Sequence, residues 1–252
     1  MTEYNIAGGT LATGTNERDP RLERLLSLTD GVYAIALTLL AFKLLNLPQG
    51  AEHLQGAALL EILLESWPRV FAFLTSFTAI AIFWQGDHQI FQHVTRFDGR
   101  LLWLVFLQLL CIIFLPFPTA VVSEHIGDLV AQEFYLGSLL LATLARVALW
   151  WYPSWGNRLV PPDLGPRLVR RFYLTILLAP VAFILLMILV ALGVGQLINP
   201  LLLIYLMMLA YIAVAVFEWW QPREATPDAA VGEARPERPP TEERPEDDLT
   251  NG

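Results

Sequence analysis

An acid and several hydroxyls stand inside an apolar run near the start of the chain: Arg24-Leu25-Leu26-Ser27-Leu28-Thr29-Asp30-Gly31-Val32-Tyr33-Ala34-Ile35-Ala36-Leu37-Thr38-Leu39-Leu40. An ionisable group in lipid is costly, so Asp30 needs a protein partner or a path to water. Further polar groups fall at the same expected depth in later apolar segments: Trp84, Asp87 and His88, then Asp98 and Arg100, then Arg146. Two chemistries are open to such a set. The groups satisfy one another in a hydrogen-bond and ion-pair network that orients helices, or they relay protons or ions. Histidine is the side chain that changes charge near neutral pH. Asp30 and His88 are therefore the pair that a proton-coupled secondary transporter would use. His53, His93 and His125 are scattered and form no metal-ligand pattern. The single cysteine, Cys111, excludes an intrachain disulfide and a multi-cysteine metal site. No His-Glu-x-x-His, Gly-x-Ser-x-Gly or nucleotide-binding glycine loop is present, so the sequence points away from an enzyme.

The elements that must position these groups follow from composition. Of 252 residues, 55% are hydrophobic and only 16% charged. A soluble domain carries about 25% charged residues, so the chain reads as an all-α integral membrane protein. A spanning helix needs about 20 apolar residues. Six segments qualify, roughly 25–45, 67–92, 101–121, 130–152, 172–193 and 197–219. Residues 57–66 are too short and too charged to span and read as an interfacial helix or an amphipathic extension. Pro68 suits the first turn of the second span. Pro116 and Pro118 should break the end of the third, and Pro180 should kink the fifth. Residues 1–23 are expected to be a cytoplasmic segment without a signal peptide, and 24–220 the membrane domain. Residues 221–252 hold nine acids and four arginines with repeated proline, a composition expected to be disordered.

Arginines alternate between sides. Arg18, Arg21 and Arg24 precede the first span, Arg96 and Arg100 follow the second, and Arg158, Arg167, Arg170 and Arg171 follow the fourth. The opposite side has only Lys43 and Arg69. This places both termini in the cytoplasm. Trp84, Trp150, Trp151, Trp155, Trp219 and Trp220 are expected to form an aromatic belt at the same interface. The second half does not repeat the first, so an axial path would need several copies of one helix. On the first span each residue turns the helix by about 100°. Leu28, Gly31, Thr38, Leu39 and Phe42 then share a stripe with Ile35, and Asp30 lies roughly 140° away from Ile35. Phase alone leaves open whether the stripe meets lipid, a neighbouring helix or a pore.

The pattern Arg24-x5-Asp30-Gly31-Val32-Tyr33-Ala34-Ile35-Ala36-x-Thr38-Leu39-Leu40 closely resembles the signature of the transmembrane protein 175 family of potassium channels. Leu28-Thr29-Asp30 stands where the family has aromatic-Ser-Asp. A second piece is Ser76-Phe77 with Phe83-Trp84-x3-His88 and Phe91, although Gly86 and Asp87 replace a frequent Asn-His. A third is Asp98-x4-Trp103 followed by Leu115-Pro116-Phe117-Pro118-Thr119. The resemblance covers residues 24–121 well and the later spans only in hydropathy and length.

The resemblance implies a six-span subunit and a homotetramer whose first helices line the pore. It puts the constriction at Ile35, with Thr38, Leu39 and Phe42 on the same stripe acting as filter and gate. A hydroxyl such as that of Thr38 replaces part of a cation's water shell, and a ring of Ile35 closes by dewetting. The same resemblance gives Arg24, Thr29, Asp30, Trp84, His88 and Asp98 a supporting role as a structural polar network. No cofactor is expected, and no metal beyond permeant potassium. The expected partners are further copies of the chain, the lipid bilayer and monovalent cations, with no nucleic acid, and the expected location is the cytoplasmic membrane.

Overall fold

The computed structural model describes residues 19–44, 55–125, 127–162 and 164–193, with isolated positions 202 and 205. The expected sixth span, 197–219, and the acidic tail lie outside the described residues, as does most of the segment before the first helix. The described architecture is all-α: α1 (Pro20–Leu44), α2 (Ala57–Glu65), α3 (Trp67–Gln92), α4 (Gly99–Phe114), α5 (Pro116–Glu124), α6 (Leu129–Ser154) and α7 (Pro166–Ala191). A single 3₁₀ turn, Trp155–Asn157, follows α6. Five stretches are long and apolar enough to cross a membrane, with α4 and α5 counting as one stretch, Gly99–Glu124.

Local chemistry sets the helix ends. Asp98 caps α4 by accepting from Leu101 N at 2.7 Å, and Asp128 caps α6 by accepting from Ala131 N at 2.9 Å. Pro68 occupies the first turn of α3. The expected break in the third span separates α4 from α5. Pro116 and Pro118 have no N–H to return to the preceding turn, so the ladder is interrupted after Phe114 and resumes where Thr119 N reaches Leu115 O at 3.1 Å. Pro180 sits inside α7 without ending it. α2 has no buried residue, as suits a short interfacial helix. Gly156 and Asn157 both take left-handed backbone (φ 61° and 53°), which turns the chain sharply after α6. Leu159 O then accepts from Thr95 N at 2.9 Å, tying this turn to the end of α3.

In lipid, apolar side chains give helices no reason to prefer each other over acyl chains, so packing and interhelical hydrogen bonds hold the bundle. α6 packs against α4, α5 and α7, and α1 packs against α3, α4 and α5. Small residues at the crossings, among them Ala36, Ala72, Ala79 and Ala142, are fully or almost fully buried. Ser76 Oγ sits 2.8 Å from Thr119 Oγ1 and 2.9 Å from Tyr135 Oη, joining α3, α5 and α6 at one point. The expected tryptophan belt needs a correction. Trp150 is fully buried, stacked on Phe172 with ring centroids 4.9 Å apart, whereas Trp151 and Trp155 are exposed. Hydropathy cannot separate these roles, because an indole fills a helix contact as readily as it anchors at an interface. Trp219 and Trp220 lie outside the described residues.

Candidate functional site

α1 has three distinct faces. Leu22, Leu25, Thr29, Tyr33, Ala36 and Leu40 are buried against the rest of the subunit. Leu28, Gly31, Ile35, Thr38, Leu39 and Phe42 are all exposed. The centre of this second stripe lies about 130° around the helix from the first. Ile35 is 53% and Phe42 61% exposed, so the largest side chains of the stripe are not buried by the described residues of the subunit. Thr38 Oγ1 donates to Ile35 O at 2.8 Å. Its proton is thereby used on the helix's own carbonyl, and the oxygen lone pairs remain outward.

Asp30 lies on the third face. Trp84 donates its indole N–H to Asp30 Oδ1 at 2.8 Å, and the Trp84 ring stacks on His88 with centroids 5.8 Å apart. Three residues of the expected polar network, Asp30, Trp84 and His88, therefore meet. The others go elsewhere. The Thr29 hydroxyl turns back to Leu25 O on its own helix at 2.9 Å. Asp98 caps α4 and accepts from the Tyr152 hydroxyl. Arg24 is exposed and has no partner among the described residues of one subunit.

A second polar cluster lies deeper. Tyr33 donates its hydroxyl to Asp87 Oδ2 at 2.5 Å, and Arg146 Nε donates to Asp87 Oδ1 at 3.0 Å. Arg146 Nη2 donates to the carbonyls of Ile82, at 3.1 Å, and Phe83. The guanidinium also lies 4.5 Å from the Phe83 ring centroid. All three titratable members are buried, so each ionised group is paired, as a membrane interior requires. Gly86 makes the room for this: a Cβ there would stand 2.7 Å from Arg146 Nη1. Asp87 and Arg146 were visible in the sequence as polar groups of similar depth. Tyr33 was hidden among apolar residues, and its 160° separation from Ile35 was the available signal.

No group of three or more potential metal ligands occurs among the described residues. The chain is a multi-pass, all-helical membrane protein whose buried acid Asp87 and base Arg146 are tied to each other across helices. Comparison with known proteins defines its class further. Residues 24–116 match the family described as endosomal/lysosomal potassium channel TMEM175. A potassium channel of Chamaesiphon minutus is 36% identical over 140 residues, covering 54% of this chain and 68% of that protein. A potassium channel of Streptomyces collinus is 32% identical over 155 residues, covering 58% and 71%. A solved lysosomal potassium-selective channel TMEM175 homolog from Chamaesiphon minutus superimposes with a TM-score of 0.66 at 26% identity, covering 77% of this chain and 98% of that one. An endosomal/lysosomal proton channel TMEM175 of Bos taurus is 29% identical over 137 residues, which cover 51% of this chain and 28% of that protein. The chain belongs to the TMEM175 family, a family of ion channels and not of enzymes.

Proposed function

We propose that the chain is one subunit of a homotetrameric, potassium-permeable cation channel that conducts passively along an axis lined by four copies of α1. The observation that carries this reading is the stripe Leu28, Gly31, Ile35, Thr38, Leu39 and Phe42. It is exposed among the described residues of the subunit and holds one side-chain hydroxyl, whose lone pairs point outward. The names of the bacterial relatives support potassium as the ion. Ile35 forms the hydrophobic constriction, and Thr38, Leu39 and Phe42 complete the filter and gate. A narrow apolar ring dewets and closes, and a threonine hydroxyl just beyond it shares in stripping water from the ion.

Asp30, Trp84 and His88 support the helix from its flank. The subunit lies in the cytoplasmic membrane with both termini inside. The permeant potassium ion is the only cation required, and no cofactor takes part. Asp30 and His88 both touch Trp84. A proton-coupled transporter would use these same two groups, so this rival remains an outcome of the test. Potassium flux into liposomes, with sodium as comparator and native mass for subunit number, decides between them. A channel gives flux that does not saturate and needs no proton gradient, from a species of four subunits. Saturating uptake coupled to pH supports the transporter. Ile35→Asn should leave the protein folded and raise conductance or lower selectivity, and unchanged currents would remove Ile35 from the pore.

A further inference from the structure

Among the described residues, two side-chain hydrogen bonds join α1 to another helix: Trp84 to Asp30 and Tyr33 to Asp87. The other hydroxyl donors of α1 are spent on its own carbonyls, Ser27 on Glu23, Thr29 on Leu25 and Thr38 on Ile35. The remaining contacts of its buried face are mostly apolar. In lipid such contacts fix a helix's rotation weakly, and hydrogen bonds gain in importance. The Asp30 bond lies at an exposed edge of α1. The Tyr33 bond lies one turn further along, on the buried side. Two attachment points at different angles fix both the height and the rotation of a helix; one leaves it free to pivot.

The second attachment is anchored firmly. Asp87 is itself held by Arg146 of α6 at 3.0 Å, and Arg146 is held by two backbone carbonyls of α3. Gly86 allows this seat, since any side chain would push on the guanidinium. A continuous polar chain therefore runs from α1 through α3 to α6. It meets α1 two residues from Ile35 and about 160° around the helix from it. A rotation of α1 that displaces Tyr33 displaces Ile35 in the opposite direction.

We propose that Tyr33, Asp87 and Arg146 are positioning residues that set, from behind, the rotation and projection of α1 and hence the width of the constriction at Ile35 and Thr38. None of the three touches the ion. The proposal rests on the reading of α1 as the pore helix.

Tyr33→Phe removes one hydroxyl and leaves the Asp87–Arg146 pair intact. The full-length channel, wild type and variant, is reconstituted in planar bilayers with potassium on one side and sodium on the other. Reversal potential and unit conductance are read, and native mass is recorded on the same samples. The expected result is an unchanged assembly with the potassium-to-sodium permeability ratio or the conductance shifted about fivefold, the factor that one hydrogen bond contributes to a balance between two helix positions. Gly86→Ala acts at the other end of the chain, displacing Arg146, and should move the same readout in the same direction. Wild-type permeation in Tyr33→Phe would overturn the proposal, as would loss of assembly, which would assign the cluster to folding. Ile35→Asn in the same assay separates the two readings. If it alters permeation and Tyr33→Phe does not, only the positioning role fails. If neither does, the pore assignment fails with it.

Discussion

Neutralising Asp87 should destabilise this protein more than removing Asp87 and Arg146 together. In Asp87→Asn the Arg146 guanidinium stays buried over the Phe83 ring and keeps its bonds to the Ile82 and Phe83 carbonyls, but has no counter-charge. Leaving one member of a buried pair uncompensated costs about 3–5 kcal/mol. Arg146→Met alone should cost a similar amount, because Asp87 then keeps the Tyr33 hydroxyl but loses its counter-charge. The double replacement, Asp87→Asn with Arg146→Met, removes both charges. Methionine lies over Phe83 in place of the guanidinium stem, and the asparagine carbonyl oxygen still accepts from Tyr33. Its cost should fall well below the sum of the singles, giving a coupling of about 2 kcal/mol or more. For a chain of this size 1 kcal/mol moves the melting temperature by about 2–4 °C. Each single variant should therefore melt about 10 °C below wild type in lipid nanodiscs, and the double should recover at least half of that loss. Strictly additive losses would refute the reasoning, since the 3.0 Å contact would then carry no coupling.

Other variants probe separate parts of the bundle. Ser76→Ala loses the contacts to Thr119 and Tyr135 and should cost about 1–2 kcal/mol, read as a lower melting temperature with potassium flux per assembled channel preserved. Trp84→Phe deprives Asp30 of its 2.8 Å donor and should reduce the assembled fraction on native mass analysis; Asp30→Ala should do the same. Asp98→Ala loses both the cap on α4 and the acceptor for Tyr152 and should cost about 0.5–2 kcal/mol, whereas Asp98→Asn, which keeps the capping oxygen, should cost less in the same melting assay.

The spans were legible because a membrane-crossing helix must be long and apolar, a one-dimensional property. Five of the six expected segments appear as described helices, and the break at Pro116 follows from the missing N–H alone. Helical phase grouped the exposed residues of α1 into one stripe but left open what that stripe meets. The pairing of polar groups was not legible. Tyr33 and Asp87 are 54 residues apart, and Asp87 and Arg146 are 59 apart; no local pattern encodes which acid meets which base. Residues expected to share one network divide among a flank contact at Asp30–Trp84, a cap at Asp98 and a helix-internal bond at Thr29. Depth can be counted along a sequence, but the rotation of each helix about its axis depends on neighbours that the sequence does not order. The burial of Trp150 has the same origin.

The central claim is that the Ile35–Thr38 face of α1 meets the ions, and thiol modification of Thr38→Cys tests it directly. The native Cys111 is buried and provides a quiet background. A positively charged methanethiosulfonate reagent is applied to the reconstituted channel while potassium current is recorded, with Leu40→Cys, on the buried face, as the comparison. The expected result is loss of most of the current in Thr38→Cys and little change in Leu40→Cys or wild type. Modification of Thr38→Cys, confirmed by mass, with the current intact would contradict the assignment of this face to the pore.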